Sequence, residues 1–226
     1  MSDFRDTVKL VPEGGLTLRR MSDITADVAT ELNRVRSLLF VPGSDAHKLS
    51  RALDSAADGI VCDLEDAVAP ADKEAARETT AEALSDSAGG TGPLRLVRVN
   101  AAGTPWFDGD LELVRRLEPD GIVLPKSSPE SVAALGPDGP PVVAIVETAR
   151  GVREAYEIGC GERVAALLVG AVDLGAEVGL EPRADAQEIL YPRAKVAIDS
   201  AAAGLRGPID VVHLDLRDEK IGRAHV

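Results

Sequence analysis

The fold of this chain is decided by the stretch GIVCDLED at residues 59–66, an apolar run that ends in three acids within four residues. The apolar residues are continuous rather than alternating with polar ones, which is typical of a β-strand buried on both faces. Six more stretches have the same texture, namely SLLFVP (37–42), RLVRVN (95–100), GIVLPK (121–126), VVAIVET (142–148), ALLVGAVDL (166–174) and IDVVHLD (209–215). Helical patterns lie between most of them, and strands that alternate with helices indicate parallel βαβ units.

Seven predicted strands indicate a (β/α)8 barrel that stops before its eighth strand. A complete barrel typically needs about 250 residues, and the seventh apolar stretch ends at Asp215 of a 226-residue chain. The competing architecture is an open doubly wound sheet, but no G-x-G-x-x-G motif follows the first strand. We therefore predict an α/β fold, a TIM barrel truncated before strand 8, over residues 36–220.

The two ends of the chain differ in texture from the barrel region. Residues 1–35 are polar, and we expect them to form an extension outside the core, with a short helix over residues 23–35. The last six residues, IGRAHV (221–226), are what a common sequencing-adapter DNA encodes in one frame. We therefore expect residues 221–226 to be a non-native tail on a C-terminally incomplete barrel.

Composition excludes several classes of protein. With 25 Lys and Arg against 38 Asp and Glu, the formal net charge is −13, which argues against binding to nucleic acids or to anionic membranes. No apolar run reaches the roughly 18 residues of a membrane span. Two cysteines do not make a disulfide scaffold and fit a reducing compartment, so we expect a cytoplasmic protein.

Polar residues follow the predicted strands, and in a parallel barrel all of these strand ends open on one face. Glu147 follows the fifth strand and Asp173 the sixth, and two carboxylates completed by waters and substrate oxygens are a usual Mg²⁺ site. The alternative is that both acids cap the helices that follow. The three histidines are scattered along the chain, which argues against a zinc site.

Arg98 ends the third strand and offers a bidentate fork for a substrate carboxylate, or a salt bridge to Asp63 or Glu65. Strand alternation sends Asp63 and Glu65 to one side, where with Asp66 they could orient the arginines or metal-bound waters; the alternative is helix capping. Two further candidates are weaker. Arg36 precedes the first strand, and Lys126 invites a Schiff-base mechanism, although nearby acids would keep its ammonium protonated.

At these residues the sequence resembles the HpcH/HpaI aldolase and citrate lyase β-subunit family of the phosphoenolpyruvate/pyruvate-type barrels. The matching motifs are RSLLFVPG (36–43), DGIVCDLEDAV (58–68), VRVN (97–100), GIVLPK (121–126), IVETARGV (145–152), GAVDL (170–174) and YPRAK (191–195). The resemblance implies Mg²⁺ on Glu147 and Asp173, with substrate contacts from Arg98 and Glu147. We add Arg36 to the predicted substrate-binding residues, and we take Arg98, Glu65 and Asp66 as the predicted catalytic residues.

The family cleaves or forms a carbon–carbon bond next to a carbonyl, often on a CoA thioester. The resemblance therefore implies a lyase that acts on an acyl-CoA or a 2-oxo acid, such as citryl-, malyl- or citramalyl-CoA, and a homo-oligomer, either a trimer or a hexamer. The family usually continues through an eighth strand, and nothing after Asp218 matches that continuation. Two alternatives stay open, namely a Mg²⁺-dependent acyl-CoA thioesterase and a non-catalytic subunit of a larger lyase complex.

Overall fold

A computed structural model describes residues 32, 34–85, 92–183 and 185–212. Its centre is a six-stranded sheet in which every neighbouring pair of strands is parallel and the spatial order follows the chain order. The strands are β1 (Leu38–Pro42), β2 (Gly59–Asp63), β3 (Leu94–Arg98), β4 (Gly121–Leu124), β5 (Val142–Val146) and β6 (Val164–Val169). This sequential parallel order is that of a TIM barrel, so the predicted α/β fold class is confirmed as a partial barrel.

Helices follow the strands, as the βαβ prediction requires. They are α1 (Ala46–Leu53), α2 (Lys73–Ser85), α3 (Phe107–Leu117), α4 (Pro129–Ala134), α5 (Ala149–Arg153), α6 (Ala155–Gly159), α7 (Ala171–Val178) and α8 (Leu190–Ala202), with 3-10 turns at Pro70–Asp72 and Gln187–Ile189. Among the described residues, no helix is long and apolar enough to cross a membrane.

The continuous apolar runs become strands because both faces of the sheet are covered. One face packs against the helices through residues such as Ile60, Val97 and Leu167. The other face lines the barrel interior, where Val61, Leu96, Val123, Val143, Ile145, Ala166 and Leu168 form a second apolar cluster. Strands of this kind have no solvent-facing side, and so the sequence shows no polar alternation.

Residues of the predicted seventh strand and of the N-terminal extension lie at the margins of the described chain. Ile209 forms a parallel bridge with Leu168, and backbone hydrogen bonds join it to Leu167 and Val169. Residues 213–215 of that stretch lie outside the described residues, as do residues 1–31, with most of the helix predicted over residues 23–35, and the tail at 221–226. Leu32 is buried and packs in the interior cluster, so it belongs to the core although the sequence predicts the core to begin at residue 36.

Asp110 ties α3 to the end of β3 through a fully buried carboxylate. It accepts hydrogen bonds from the backbone N–H of Asn100 at 2.7 Å, from Asn100 Nδ2 at 2.7 Å and from Arg77 Nε at 2.8 Å. Asn100 in turn donates to the carbonyl oxygen of Leu64 at 3.0 Å. One buried acid thus connects α2, α3 and the turns that follow β2 and β3.

We expect Asp110→Ala to destabilise the chain by about 3 kcal/mol or more, because buried donors on Asn100 and Arg77 would lose their acceptor. Urea unfolding measures this change. Asp108→Ala is the matched control, since Asp108 is also an acid in the first turn of α3 but is exposed. Equal losses of stability in the two variants would contradict the role given to Asp110.

Candidate active site

An ion pair between Arg98 and Asp63 joins the ends of β2 and β3, where the two residues are register partners. Arg98 Nε lies 2.7 Å from Asp63 Oδ1 and Arg98 Nη2 lies 2.6 Å from Asp63 Oδ2, so the contact is bidentate. Burial disfavours the guanidinium charge, but the hydrogen bonds to Asp63 and the charges of Asp63 and Glu65 outweigh it and raise the pKa of Arg98. The salt bridge considered from the sequence is therefore present, and it uses two of the guanidinium nitrogens.

The Asp63 carboxylate also organises the turn that carries the next two acids. Its oxygens accept hydrogen bonds from the backbone N–H groups of Glu65 at 2.8 Å and Ala67 at 3.2 Å. As a result, Glu65 Oε2 comes to 3.0 Å from Arg98 Nη1, and Asp66 Oδ2 comes to 3.8 Å from the same nitrogen. The structure thus brings together the three residues that the sequence suggests as catalytic.

Lys73 holds the same turn from α2, a role that the sequence did not suggest. Its ammonium donates to the carbonyl oxygens of Leu64 and Glu65, each at 2.6 Å, and lies 5.2 Å from the centre of the Trp106 ring. A cation is unfavourable in the first turn of a helix, yet Lys73 opens α2 and is buried. That conflict with the helix dipole is the signal in the sequence that could have identified Lys73.

Glu147 directly follows β5, and its side chain is buried in a tight space. Its Oε1 accepts a hydrogen bond from the backbone N–H of Lys126 at 2.7 Å. A Cβ added at Gly170 would lie 2.4 Å from Glu147 Cβ and 2.6 Å from its Oε2, so only glycine at residue 170 leaves room for this side chain. Thr148, and not Glu147, caps the following helix α5, which removes the capping alternative for this acid.

The pKa of Glu147 is raised to about 7, first by burial and then by the neighbouring charges of Glu65 and Asp173. The Lys126 N–H bond opposes this rise. The Asp173 carboxylate is therefore close enough to disfavour the charge of Glu147. A cation placed beside them would relieve that repulsion.

Asp173 lies in the first turn of α7 and not at the end of a strand, so the predicted strand over 166–174 is too long. The strand β6 ends at Val169, and Gly170 is the residue that precedes helix α7. The Asp173 carboxylate lies 3.2 Å from Lys126 Nζ, and the same ammonium lies 2.5 Å from Glu65 Oε1. Asp173 thus reaches the cluster from a helix start, one turn beyond the position expected of it.

Lys126 is protonated in this setting. Burial works against its charge, but the hydrogen bond from its ammonium to Glu65 and the charges of Glu65, Asp66 and Glu147 raise its pKa. A Schiff base needs a neutral amine, so the structure disfavours the Schiff-base mechanism for Lys126.

The donor set suits a divalent cation that keeps most of its waters. Within the described residues no group of three or more His, Cys, Asp or Glu is arranged to hold a metal ion, so Glu147 and Asp173 would act as a pair. Two carboxylates with waters or substrate oxygens are the usual way to hold Mg²⁺. The Lys126 ammonium lies close to the carboxylates of Glu65, Asp173 and Glu147, so the electrostatic environment at this position favours a positive charge.

Arg36 lies at the opposite end of the sheet from this cluster. It precedes β1, is exposed, and pairs with Asp58, which precedes β2, at 2.9 Å. A cavity of about 480 Å³ opens beside Asp58 at that end of the sheet, away from the strand-end acids. The expected contact between Arg36 and a substrate is therefore not supported, because a residue before a parallel strand lies at the other edge from a residue after it.

Comparison with known proteins gives a consistent result. The family model described as HpcH/HpaI aldolase/citrate lyase matches residues 36–135 and 137–226. A (3S)-malyl-CoA thioesterase of Cereibacter sphaeroides is 37% identical over 201 residues, which are 87% of this chain and 70% of that protein. The mitochondrial citramalyl-CoA lyase of Rattus norvegicus is 33% identical over 208 residues, which are 81% of this chain and 61% of that protein.

A solved structure shares the fold and contains magnesium. It is the crystal structure of protein CitE from Mycobacterium tuberculosis in complex with magnesium, acetoacetate and coenzyme A. The alignment has a TM-score of 0.69 and 34% identity, and it covers 80% of this chain and 67% of that one.

The buried carboxylate of Glu147 predicts a characteristic pH dependence of stability in metal-free protein. Its pKa is higher in the folded state, about 7, than the ordinary 4.5, so folding stability falls as the pH rises between these values. The glutamine of Glu147→Gln does not titrate. Between pH 5 and pH 8 the free energy of unfolding of this variant should therefore rise by roughly 2 to 3 kcal/mol relative to that of the unmodified chain. Urea unfolding in EDTA measures this difference.

The matched control for this measurement is Glu162→Gln, which changes an exposed glutamate in the same way. We expect its stability to follow that of the unmodified chain across the same pH range. If the free energies of unfolding of Glu147→Gln and the unmodified chain differed by the same amount at every pH from 5 to 8, the raised pKa of the buried Glu147 would be contradicted.

Proposed function

Because the chain belongs to the HpcH/HpaI aldolase/citrate lyase family, we propose that it is a Mg²⁺-dependent carbon–carbon lyase. Its substrate would be a hydroxyacyl-CoA of the malyl, citramalyl or citryl type, cleaved to an acetyl-type CoA thioester and a 2-oxo acid, or formed from them. The observation that carries this proposal is the meeting of Glu65, Arg98, Lys126, Glu147 and Asp173 at the carboxyl ends of the strands.

Glu147 and Asp173 would hold the Mg²⁺ ion. When bound, the ion would polarise the oxygen of the 2-oxo or hydroxy group and neutralise the excess of carboxylates around it. Glu147 is prepared for this role, because Gly170 and the Lys126 N–H fix its orientation before any ligand arrives.

Arg98 would bind the carboxylate of the 2-oxo acid through Nη1. The other two nitrogens are held by Asp63, so the guanidinium cannot rotate away and presents one fixed edge to the substrate. Nη1 faces Glu65 and Asp66, which places the substrate carboxylate next to these acids. A fixed positive charge at this point is the arrangement that stabilises a developing anion.

Glu65 would take the proton from the substrate hydroxyl as the carbon–carbon bond breaks. The electron pair of that bond would pass to the thioester, which would leave as an enolate. The enolate would then take a proton at carbon from Glu65, which returns Glu65 to its carboxylate form. Burial raises the pKa of Glu65 against the pull of Lys126 and Arg98, and this brings a carboxylate closer to the pKa of a useful base. Asp66 is mostly exposed and could exchange the proton with solvent.

Thioester hydrolysis is the second candidate, because a relative at 37% identity is a (3S)-malyl-CoA thioesterase. In that reaction Glu65 would take a proton from water instead of from the substrate hydroxyl. Water would attack the thioester carbonyl carbon, and the C–S bond would break to release free CoA and a carboxylic acid. The two reactions differ in their products, so a single assay separates them.

We expect the chain with Mg²⁺ to convert at least one of malyl-, citramalyl- and citryl-CoA into acetyl-CoA and the corresponding 2-oxo acid. Liquid chromatography with mass spectrometry identifies the products, and EDTA provides the metal-free comparison. Free CoA together with the intact hydroxy acid would favour hydrolysis instead. Turnover that is unchanged in EDTA would contradict a Mg²⁺-dependent reaction of either kind.

Asp173→Asn should weaken Mg²⁺ binding by at least about tenfold, because the amide keeps the size of the side chain but removes one of two anionic ligands. Isothermal calorimetry measures this affinity. Asp185→Asn is the control, since Asp185 is exposed and its partner is Arg183 on the same loop. Unchanged Mg²⁺ affinity in Asp173→Asn would remove Asp173 from the proposed metal site.

A further inference from the structure

Lys126 contacts three of the acids that converge at the site. Its backbone N–H donates to Glu147, and its ammonium lies beside both Glu65 and Asp173. The backbone of Lys126 is left-handed, with φ of 48°, a conformation that is uncommon for residues other than glycine. The local fold therefore accepts strain at a residue whose contacts join the turns after β2 and β5 to α7.

The two contacts of the ammonium are not equivalent. Lys126 Nζ lies 2.5 Å from Glu65 Oε1 and 3.2 Å from Asp173 Oδ2, so the link to Glu65 is the shorter one. The Lys126 side chain is 40% exposed and that of Asp173 is 35% exposed, whereas the Glu65 side chain is only 8% exposed. The ammonium is thus held more closely by the buried Glu65 and more loosely by the half-exposed Asp173.

We propose that the Lys126 side chain is a built-in counter-ion that competes with the divalent cation for Asp173. In the metal-free protein the ammonium neutralises Asp173, and binding of the cation requires it to withdraw towards Glu65. The Lys126 backbone, in contrast, would favour binding of the cation. Its N–H holds Glu147 in position whether the ammonium lies beside Asp173 or beside Glu65. This inference rests on the proposed Mg²⁺ site at Glu147 and Asp173 and assigns to Lys126 the tuning of its affinity.

The charge balance supports this competition. Glu65, Glu147 and Asp173 are three acids around one ammonium, and their mutual repulsion contributes to the raised pKa of Glu147. Without the ammonium the metal-free site would be more negative and would attract a cation more strongly. With it, the cation must first displace an existing ion pair. The lysine would thereby stabilise the metal-free protein at the expense of metal affinity.

The test is the Mg²⁺ affinity of variants that remove or keep the charge. Lys126→Met removes the ammonium, keeps an unbranched chain and leaves the N–H bond to Glu147, so we expect Mg²⁺ to bind at least about fivefold more tightly by isothermal calorimetry. Lys126→Arg keeps the charge and should stay within roughly twofold of the unmodified chain. Lys195→Met removes the ammonium of another ion pair, with Asp199 on α8, and should leave the affinity unchanged.

Thermal unfolding gives an independent reading. In EDTA we expect Lys126→Met to unfold at a lower temperature than the unmodified chain, and Mg²⁺ should raise its midpoint by more than it raises that of the unmodified chain. If Lys126→Met does not fold, Lys126→Gln takes its place as the neutral variant. Circular dichroism verifies that each variant retains its helices.

The outcomes separate this inference from the function on which it rests. Unchanged or weaker Mg²⁺ binding by the neutral variant would overturn the role of Lys126, while binding that is lost in Asp173→Asn would still support the metal site. An equal gain of affinity in Lys126→Met and Lys126→Arg would also overturn it, because the effect would then not depend on charge. An unmodified chain that binds no Mg²⁺ would overturn both proposals.

Discussion

The buried ion pair between Arg98 and Asp63 is the interaction on which the rest of the site depends. It joins the ends of neighbouring parallel strands at a point where the register places the two residues side by side. Burying two charges costs desolvation, so the pair contributes more to a unique geometry than to stability. The Asp63 oxygens also accept hydrogen bonds from the backbone N–H groups of residues 65 and 67, and these bonds fix the turn that carries Glu65. The direction of Arg98 and the position of Glu65 are therefore set by the same carboxylate.

Around this pair the fold forces like charges together. The parallel strand ends and the start of α7 bring Glu65, Glu147 and Asp173 to one edge of the sheet, above an interior of aliphatic side chains that offers them no compensation. Such a cluster is stable only if cations share it. Arg98 pairs with Asp63 and Glu65, and Lys126 adds a second positive charge, but the acids still outnumber the cations, which is the physical reason for expecting a divalent ion. The close contact of Gly170 with Glu147 prevents the cluster from relaxing by simple rotation of that acid.

Much of this arrangement could be predicted from the sequence. The continuous apolar runs predicted the strands, and period-two alternation predicted that Asp63 and Glu65 share one side. Both do meet Arg98, although β2 ends at Asp63 and Glu65 reaches Arg98 from the turn that follows. Asp173 was harder to place, because the apolar residues of α7 continue those of β6 and only Gly170 separates the two elements. Arg36 was predicted to contact the substrate, but it precedes its strand. It therefore lies at the opposite edge of the sheet from the residues that follow the strands, and pairs there with Asp58. The left-handed backbone of Lys126 depends on tertiary contacts that no local pattern reports.

The same geometry is compatible with both reactions named among the relatives, and the reason is chemical. Carbon–carbon cleavage and thioester hydrolysis both need a fixed cation, an anchored carboxylate and one base, and they differ in whether the base takes a proton from the substrate hydroxyl or from water. Under the proposed mechanism Glu65 would serve either purpose, since its position relative to Arg98 is fixed while its pKa is raised by burial. The choice between the two reactions therefore lies in whether water can reach the thioester carbonyl when Glu65 is occupied.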